Sequence, residues 1–475
     1  MKLSKFFKGI CLALSLLMLF SACQTASEDD ETNSTQGTDA KTPETEPQTE
    51  PVTKETLDLT QIPAYTEYAA TAMQKLYNVF WDDEDNCFIR TAEGQPEPNA
   101  PAIWEQGQSI FALISYYEAT QDADALQKLN QQWAYLTSDA YSERILKGKQ
   151  KLGTGCYYAQ DDAAWGSLIF IGIYRNTGNT EAMEYAHDLI VNSYNHWGTG
   201  EETKYQGTSI KSLTDGMYYT DNLEEGESPY KSIYAAAMAV AALEYCCLKN
   251  PTDPTAVDLY RPTLNLFHWL EDNMCRNKTK TYKDYDSNGS LTVSYVDYLY
   301  YVDYGRNGEN GPTGARNPSN IAVNSSTTGL FGNMAMASCA GLLYKITNDT
   351  KYSDIAVRTV KAISKYETHS GTQTYINDRD QGTNAAMTGY FVKYALSLDG
   401  VRLSDKQVLL DTAKIIATKG AVTGTDYYYT VWDEAPASHT VYYPNNSQVY
   451  AYTCQPRMAT CVHMITAALL LLSME

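Results

Sequence analysis

The chain has 475 residues, with 57 acidic side chains against 36 basic ones and a formal net charge of −21. That balance argues against nucleic acid or an anionic polymer as the main partner, since both would be repelled. Hydrophobic residues make up 43% and tyrosines occupy 39 positions, enough for a large core and for aromatic faces that stack on neutral, flat ligands such as sugar rings.

The N-terminus reads as an export signal. Lys2, Lys5 and Lys8 precede an apolar run from Ile10 to Phe20, too short to span a bilayer as a mature helix. The run ends in Phe20-Ser21-Ala22-Cys23, small residues before a cysteine in the manner of a bacterial lipoprotein cleavage box. Residues 1–22 are therefore expected to be removed and Cys23 to carry the lipid. Residues 24–58 hold ten acids against Lys41 and Lys54, with Pro43, Pro47 and Pro51 and almost no large apolar side chains. No core can form there to offset chain entropy, so 23–58 is expected to be a disordered, semi-extended acidic tether. The expected location is extracytoplasmic, in the cell envelope, with the lipid anchor as the sole contact with membrane.

From Leu59 to Glu475 no second linker interrupts the chain, and one large domain is expected. Amphipathic periodicity predicts helices at 63–80, 104–119, 123–137, 161–176, 180–195, 229–248, 255–274, 326–346, 351–366, 382–397, 404–419 and 448–473. No convincing run of alternating strand residues is seen. Twelve helices fall into six hairpins, and a repeated signature supports the pairing. Tyr117-Glu-Ala-Thr120-Gln-Asp122, Tyr174-Arg-Asn-Thr177-Gly-Asn179 and Tyr344-Lys-Ile-Thr347-Asn-Asp349 each end an apolar helix and precede a more polar one. Gly178 and Asn348 suit the left-handed residue that terminates a helix. Segments such as 161–176 and 326–346 are rich in Gly, Ala, Ser and Met and read as inner helices; 123–137 and 351–366 carry charge on one face and read as outer ones. The predicted fold is all-α, an (α/α)6 toroid with its cleft at the end where the inner helices begin. An open superhelix of hairpins is the structural competitor. Eight cysteines in the domain are irregularly spaced, and buried thiols without assigned bridges are expected.

The residues leading into the inner helices repeat one chemistry. They are Trp104-Glu105-Gln106, Tyr158-Ala-Gln160-Asp161-Asp162-Ala-Ala-Trp165, Asp215-Gly-Met-Tyr218-Tyr219, Asn324 before the eighth helix, Asp380 before the tenth and Tyr450-Ala-Tyr452 before the twelfth. Aromatics for stacking, with amides and acids for hydroxyls, make a sugar-binding cleft. Asp161 and Asp162 are the candidate catalytic pair. Glycoside hydrolysis needs two carboxyls, and neighbours at a helix start project about 100° apart. Helix-start amides favour an ionised carboxylate, whereas burial and a neighbouring charge raise the partner. An aspartate at a helix start is also an ordinary cap, so the pair alone does not decide the matter.

The stretch Tyr158-Ala-Gln-Asp161-Asp162-Ala-Ala-Trp165 through Asn179 resembles glycoside hydrolase family 76, which carries consecutive aspartates and a tryptophan on an inner helix. Trp104-Glu-Gln-Gly-Gln108, Asp215-Gly-Met-Tyr-Tyr219 and Tyr230-Lys-Ser-Ile233 extend the resemblance along the domain. The resemblance implies an (α/α)6 enzyme acting on α-1,6-mannan with retention, Asp161 as nucleophile and Asp162 as general acid/base. Independently of the resemblance, the residues leading into the inner helices make Trp104, Gln106, Tyr158, Trp165, Tyr218, Tyr219, Asn324 and Asp380 the expected substrate contacts. The chain departs from the family in having Ala163-Ala164-Trp165-Gly166 after the pair, and Met387-Thr388-Gly389 with Lys393 near the tenth helix.

Other motifs are weak. Asp284-Tyr-Asp286-Ser-Asn288-Gly289 begins like a calcium loop, but Tyr295 stands where Glu is required, so a polar turn is expected. Ser228-Pro-Tyr-Lys231 has acyl-enzyme spacing without partner motifs, and six histidines show no metal spacing. No cofactor and no metal are expected. The expected partner is a polysaccharide or oligosaccharide, and the expected state is a monomer. The competing readings are a glycan-binding lipoprotein without activity, an unsaturated glucuronyl hydrolase and a wall transglycosidase.

Overall fold

The computed structural model describes residues 56–88, 103–138, 159–205, 208–220, 229–249, 253–275, 281–285, 291–296, 298–301, 303–304, 312–313, 329–366, 368–370, 374–376, 387–429, 451–452 and 455–475. The signal, Cys23 and nearly all of the tether lie outside them. Among the described residues twelve helices form: α1 (Ile62–Phe80), α2 (Ile103–Thr120), α3 (Ala123–Leu136), α4 (Gln160–Thr177), α5 (Thr180–Trp197), α6 (Ala235–Leu248), α7 (Pro254–Met274), α8 (Gly329–Thr347), α9 (Thr350–Tyr366), α10 (Thr388–Phe391, continued by a π turn Val392–Leu396), α11 (Leu403–Ile415, continued by a π turn Ile416–Gly420) and α12 (Gln455–Met474). No helix among the described residues is long and apolar enough to cross a membrane.

The three repeated hexapeptides are one turn built three times. The first residue beyond each helix, Gln121, Gly178 or Asn348, is left-handed (φ 56°, 75° and 56°) and returns its N–H to Tyr117, Tyr174 or Tyr344. The threonine hydroxyl donates back to the helix and accepts the N–H two residues on. Asp122, Asn179 or Asp349 then caps the next helix. Local chemistry thus reverses the chain at each of these hairpins.

The even-numbered helices are buried nearly all round, whereas the odd ones bury one face. Around the ring α2 packs on α4, α4 on α6, α6 on α8, α8 on α10, α10 on α12, and α12 returns extensively onto α2. That last contact closes the ring and excludes the open superhelix. Residues Glu55–Glu475 form one compact unit, an (α/α)6 toroid. Small residues let the inner helices approach: a Cβ on Gly341 of α8 would stand 1.6 Å from the Tyr394 carbonyl oxygen of α10. The described cysteines are free thiols; Cys87, Cys339 and Cys461 are buried and Cys246, Cys247 and Cys275 half-buried.

Besides the helices, the described residues contain a few short strands. Short antiparallel ribbons join β1 (Trp81–Asp82) to β2 (Cys87–Phe88), β3 (Glu202–Tyr205) to β4 (Thr208–Lys211), β6 (Thr281–Tyr285) to β7 (Leu291–Val296), β10 (Thr368–Ser370) to β11 (Thr374–Ile376) and β12 (Tyr428–Tyr429) to β13 (Ala451–Tyr452). A three-stranded sheet runs β5 (Lys231–Ser232), β8 (Asp303–Tyr304), β9 (Pro312–Thr313). These pairings shorten two predicted helices. The sixth begins at Ala235 because Lys231 and Ser232 pair with β8, and the twelfth at Gln455 because Ala451 and Tyr452 pair with β12. The β6–β7 ribbon flanks the calcium-like stretch, whose residues 286–290 lie outside the described residues.

A buried charge cluster closes one end of the ring. Arg175 donates to Glu118 (Nε to Oε1, 2.6 Å) and to Glu244, and Lys393 lies 3.2 Å from Glu118. Tyr394 donates to Glu244 at 2.6 Å. Burial works to raise Glu118, but Arg175 and Lys393 hold its carboxyl down at about 2. Glu118, Arg175 and Glu244 sit in the last turns of α2, α4 and α6, so these inner helices run parallel. The opposite end, where they begin, lies about 20 Å away along α4.

Candidate active site

Asp161 and Asp162 occupy the first turn of α4, at the end of the ring opposite the charge cluster. They do not fill the cap position. That is Ala159, extended and without a side-chain cap. The helix start is instead held by the segment before α6. Ala159 bridges Thr220, and the Gln160 N–H donates to the Tyr219 carbonyl at 2.9 Å. The Tyr219 N–H donates in turn to the Tyr230 carbonyl at 2.9 Å, and Tyr218 bridges Lys231 of β5. Gly216 makes the preceding turn at φ 79°, where a Cβ would lie 2.6 Å from the Trp269 ring.

Successive side chains of an extended segment point to opposite sides. Tyr218 therefore faces outward, 39% exposed, with the Lys231 ammonium over its ring at 5.5 Å and over Trp269 at 4.8 Å. That ammonium also donates to the Asp215 carbonyl, which gives Lys231 a structural partner. Tyr219 faces inward, and its hydroxyl hydrogen-bonds the Asp161 carboxylate. The ring packs 5.5 Å from Tyr230 and 5.7 Å from Tyr234. Tyr234 meets Phe331 at 5.0 Å, and Phe331 meets Trp165 at 5.6 Å. One turn into α4, Trp165 is buried, and its indole N–H has no partner among the described residues. These rings make an aromatic wall beside the carboxylate pair.

Burial pushes the Asp161 carboxyl up to about 7, although the amides of Asp161 and Asp162 and the Tyr219 hydroxyl all favour its ionised form. Both effects anticipated for the two aspartates fall on Asp161, and desolvation wins. One of its oxygens, Oδ1, is buried and has no partner among the described residues. Asp162 is buried as well, at 8% exposure. Tyr219 stays protonated: burial and the nearby Asp161 charge raise its hydroxyl far above the ordinary value.

The structure thus brings Asp161, Asp162, Trp165 and Tyr219 together, with Tyr218 at the outer edge. Gln106 is fully buried and its amide donates to the Phe88 carbonyl at 3.2 Å. Tyr158, Asn324 and Asp380, and the Trp104 side chain, lie outside the described residues. Sequence reasoning passed over Gln108 and Gln160. Both are fully buried with side-chain amides that have no partner among the described residues, and both stand in the first two turns of inner helices. Their position in Gln106-Gly-Gln108 and Gln160-Asp-Asp162 was the available signal. Among the described residues no group of histidine, cysteine and acidic side chains could hold a metal ion.

The (α/α)6 toroid is similar to the fold of solved family 76 structures. Solved structures similar to this chain include an α-1,6-mannanase of Salegentibacter sp. HEL1_6 (15% identity, 86% of this chain and 99% of that chain, TM-score 0.56). They also include a family 76 mannosidase from Bacteroides thetaiotaomicron VPI-5482 (14%, 85% and 98%, TM-score 0.56). A cellobiose 2-epimerase from Bacillus thermoamylovorans B4167 is similar as well (13%, 86% and 99%, TM-score 0.52). The Salegentibacter structure is of an inactive variant, with two consecutive aspartates changed to asparagine, in complex with α-1,6-mannotriose. No protein-family model and no curated protein matches the chain.

Proposed function

We propose that this protein is a glycoside hydrolase that cleaves α-mannan, at α-1,6 linkages, by a retaining two-carboxylate reaction. The observation that carries this reading is the consecutive pair Asp161–Asp162 at an inner-helix start, beside an aromatic wall, in a fold shared with α-1,6-mannanases. In the first step Asp162, protonated, gives its proton to the glycosidic oxygen as the bond to the anomeric carbon breaks. The Asp161 carboxylate attacks that carbon from the opposite face and forms an ester. In the second step Asp162, now ionised, takes a proton from water, and the water oxygen attacks the same carbon and releases Asp161. Two inversions give net retention. Trp165 and Tyr219 stand beside the carboxylate pair, and Tyr218 offers an exposed ring at the edge for sugar stacking.

One observation favours exchanged roles: a carboxyl raised by burial suits the proton donor. Two measurements separate the assignments. In the free enzyme kcat/KM falls below about pH 7 if Asp161 must be ionised to attack, and above it if Asp161 is the acid. Azide rescue of Asp161→Ala gives a glycosyl azide of inverted configuration if Asp161 is the nucleophile, and of retained configuration if it is the acid/base. If the first sugar released by wild type has inverted configuration, the retaining mechanism is wrong.

The same proposal places the domain outside the cytoplasm, tethered by 24–58 to a lipidated Cys23. Its support is the basic and apolar N-terminal run and the Ser21-Ala22-Cys23 box. Cys23→Ala is expected to abolish acylation and release the protein from the membrane fraction. Unchanged membrane retention would contradict it.

A further inference from the structure

Tyr219 is attached to the start of α4 at two points. Its carbonyl accepts the Gln160 N–H at 2.9 Å, and its hydroxyl meets the carboxylate of the next residue, Asp161. Its own N–H is held by the Tyr230 carbonyl at 2.9 Å, and its ring is wedged between Tyr230 and Tyr234. The backbone pairings fix where the side chain leaves the chain, and the flanking rings limit where its hydroxyl can swing. The Asp161 carboxylate is accordingly asymmetric: it takes the Tyr219 hydrogen bond beside the Asp161 and Asp162 amides, yet Oδ1 has no partner among the described residues.

We propose that Tyr219 is the positioning residue for Asp161, fixing the carboxylate so that its unpartnered oxygen Oδ1 is the one presented for reaction. This rests on the reading of Asp161 as nucleophile. A free carboxylate rotates about its terminal bond, which is a broad, two-fold torsion. A charge-assisted hydrogen bond from a fixed phenol removes that freedom and favours the ionised form. Because burial keeps the phenol protonated, it donates across the whole working range. Register decides which tyrosine does this. A slip of one residue in the 217–220 segment would send Tyr219 outward and Tyr218 in. The Gly216 turn against Trp269 and the paired backbone on both sides prevent that slip.

The test is Tyr219→Phe, which keeps the ring and loses the hydroxyl. Two readouts are taken from wild type and variant: kcat/KM on α-1,6-mannooligosaccharides from pH 5 to 9, and unfolding stability over the same range. Without the donor the ionised carboxylate is disfavoured, so the acid limb of kcat/KM is expected to move up by about one pH unit. The loss is then roughly tenfold at pH 6 and much smaller at pH 9. The stability lost as Asp161 ionises is expected to extend to correspondingly higher pH, and this extension disappears in the Asp161→Asn background. A rate reduced equally at every pH, with the stability profile unmoved, would make Tyr219 a packing residue and overturn the proposal. If wild type hydrolyses no α-mannan, the functional reading fails on its own. The stability profile still decides about Tyr219: an extended window supports its hold on Asp161, and an unchanged one refutes it.

Discussion

Replacing Asp161 by asparagine is expected to stabilise the protein, and only where Asp161 would be ionised. Burial holds this carboxyl at about 7 instead of the ordinary 3.8. The native state therefore keeps a proton that the unfolded chain has released between those two values. Stability contributed by the protonated form is complete below 3.8 and falls as pH rises through about 7. Above that the loss is constant, at roughly 4 kcal/mol. Asparagine is nearly isosteric, its amide oxygen can still accept from Tyr219, and it carries no charge to desolvate. The Asp161→Asn variant should be more stable than wild type by roughly 4 kcal/mol at pH 8 and by about 1 kcal/mol at pH 4.5. Urea unfolding at these two pH values, with enzymatic activity measured alongside, gives the comparison. A stability difference equal at both pH values, or a variant less stable at pH 8, would refute the reasoning that desolvation dominates this site. The expected pattern is a site that sacrifices stability for chemistry.

Other expectations follow from the opposite end of the ring. Arg175→Met leaves the Glu118 and Glu244 carboxylates buried without their shared cation and should cost about 3–5 kcal/mol, seen in urea unfolding; a loss below 1 kcal/mol would show that the cluster is dispensable. Glu118 is depressed from 4.5 to about 2, so its contribution, about 3 kcal/mol, is present above 4.5 and is lost as pH falls through about 2. Glu118→Gln should flatten the acid side of the stability profile, and an unaltered acid transition would contradict that. Gly341→Ala puts a methyl onto the Tyr394 carbonyl and forces α8 from α10; an expected loss of about 1–3 kcal/mol would appear as a lowered Tm, and an unchanged Tm would mean the helices separate freely.

The helices were legible because their signals are local. Apolar periodicity gave all twelve, and Tyr-x-x-Thr-x-Asp/Asn marked three reversals because that hexapeptide satisfies its own backbone groups. The ribbons were not, since strands as short as Lys231–Ser232 show no alternation, and their partner, Asp303–Tyr304, lies far along the chain. The same limit hid half of the site's logic. The Asp161–Asp162 pair stood out from its sequence neighbours, but nothing local distinguishes the inward Tyr219 from the outward Tyr218. Their sides are set by pairing with Ala159, Gln160 and Lys231. The charge cluster had a visible trace in Glu244, a lone acid within the alanine-rich α6, yet its partner Arg175 is 69 residues away. Gln106 was expected to contact substrate, and its buried amide donates to the Phe88 carbonyl at the end of β2, a partner that its sequence neighbours do not reveal.

The most direct test of the account is hydrolysis of α-1,6-linked mannan by wild type, Asp161→Asn and Asp162→Asn, with folding of each verified by thermal unfolding. The account predicts that wild type releases mannooligosaccharides and that both variants, fully folded, are reduced by several orders of magnitude. Glycan binding without release of any product from a broad α-glycan panel would contradict it and leave a binding protein in the fold of an enzyme.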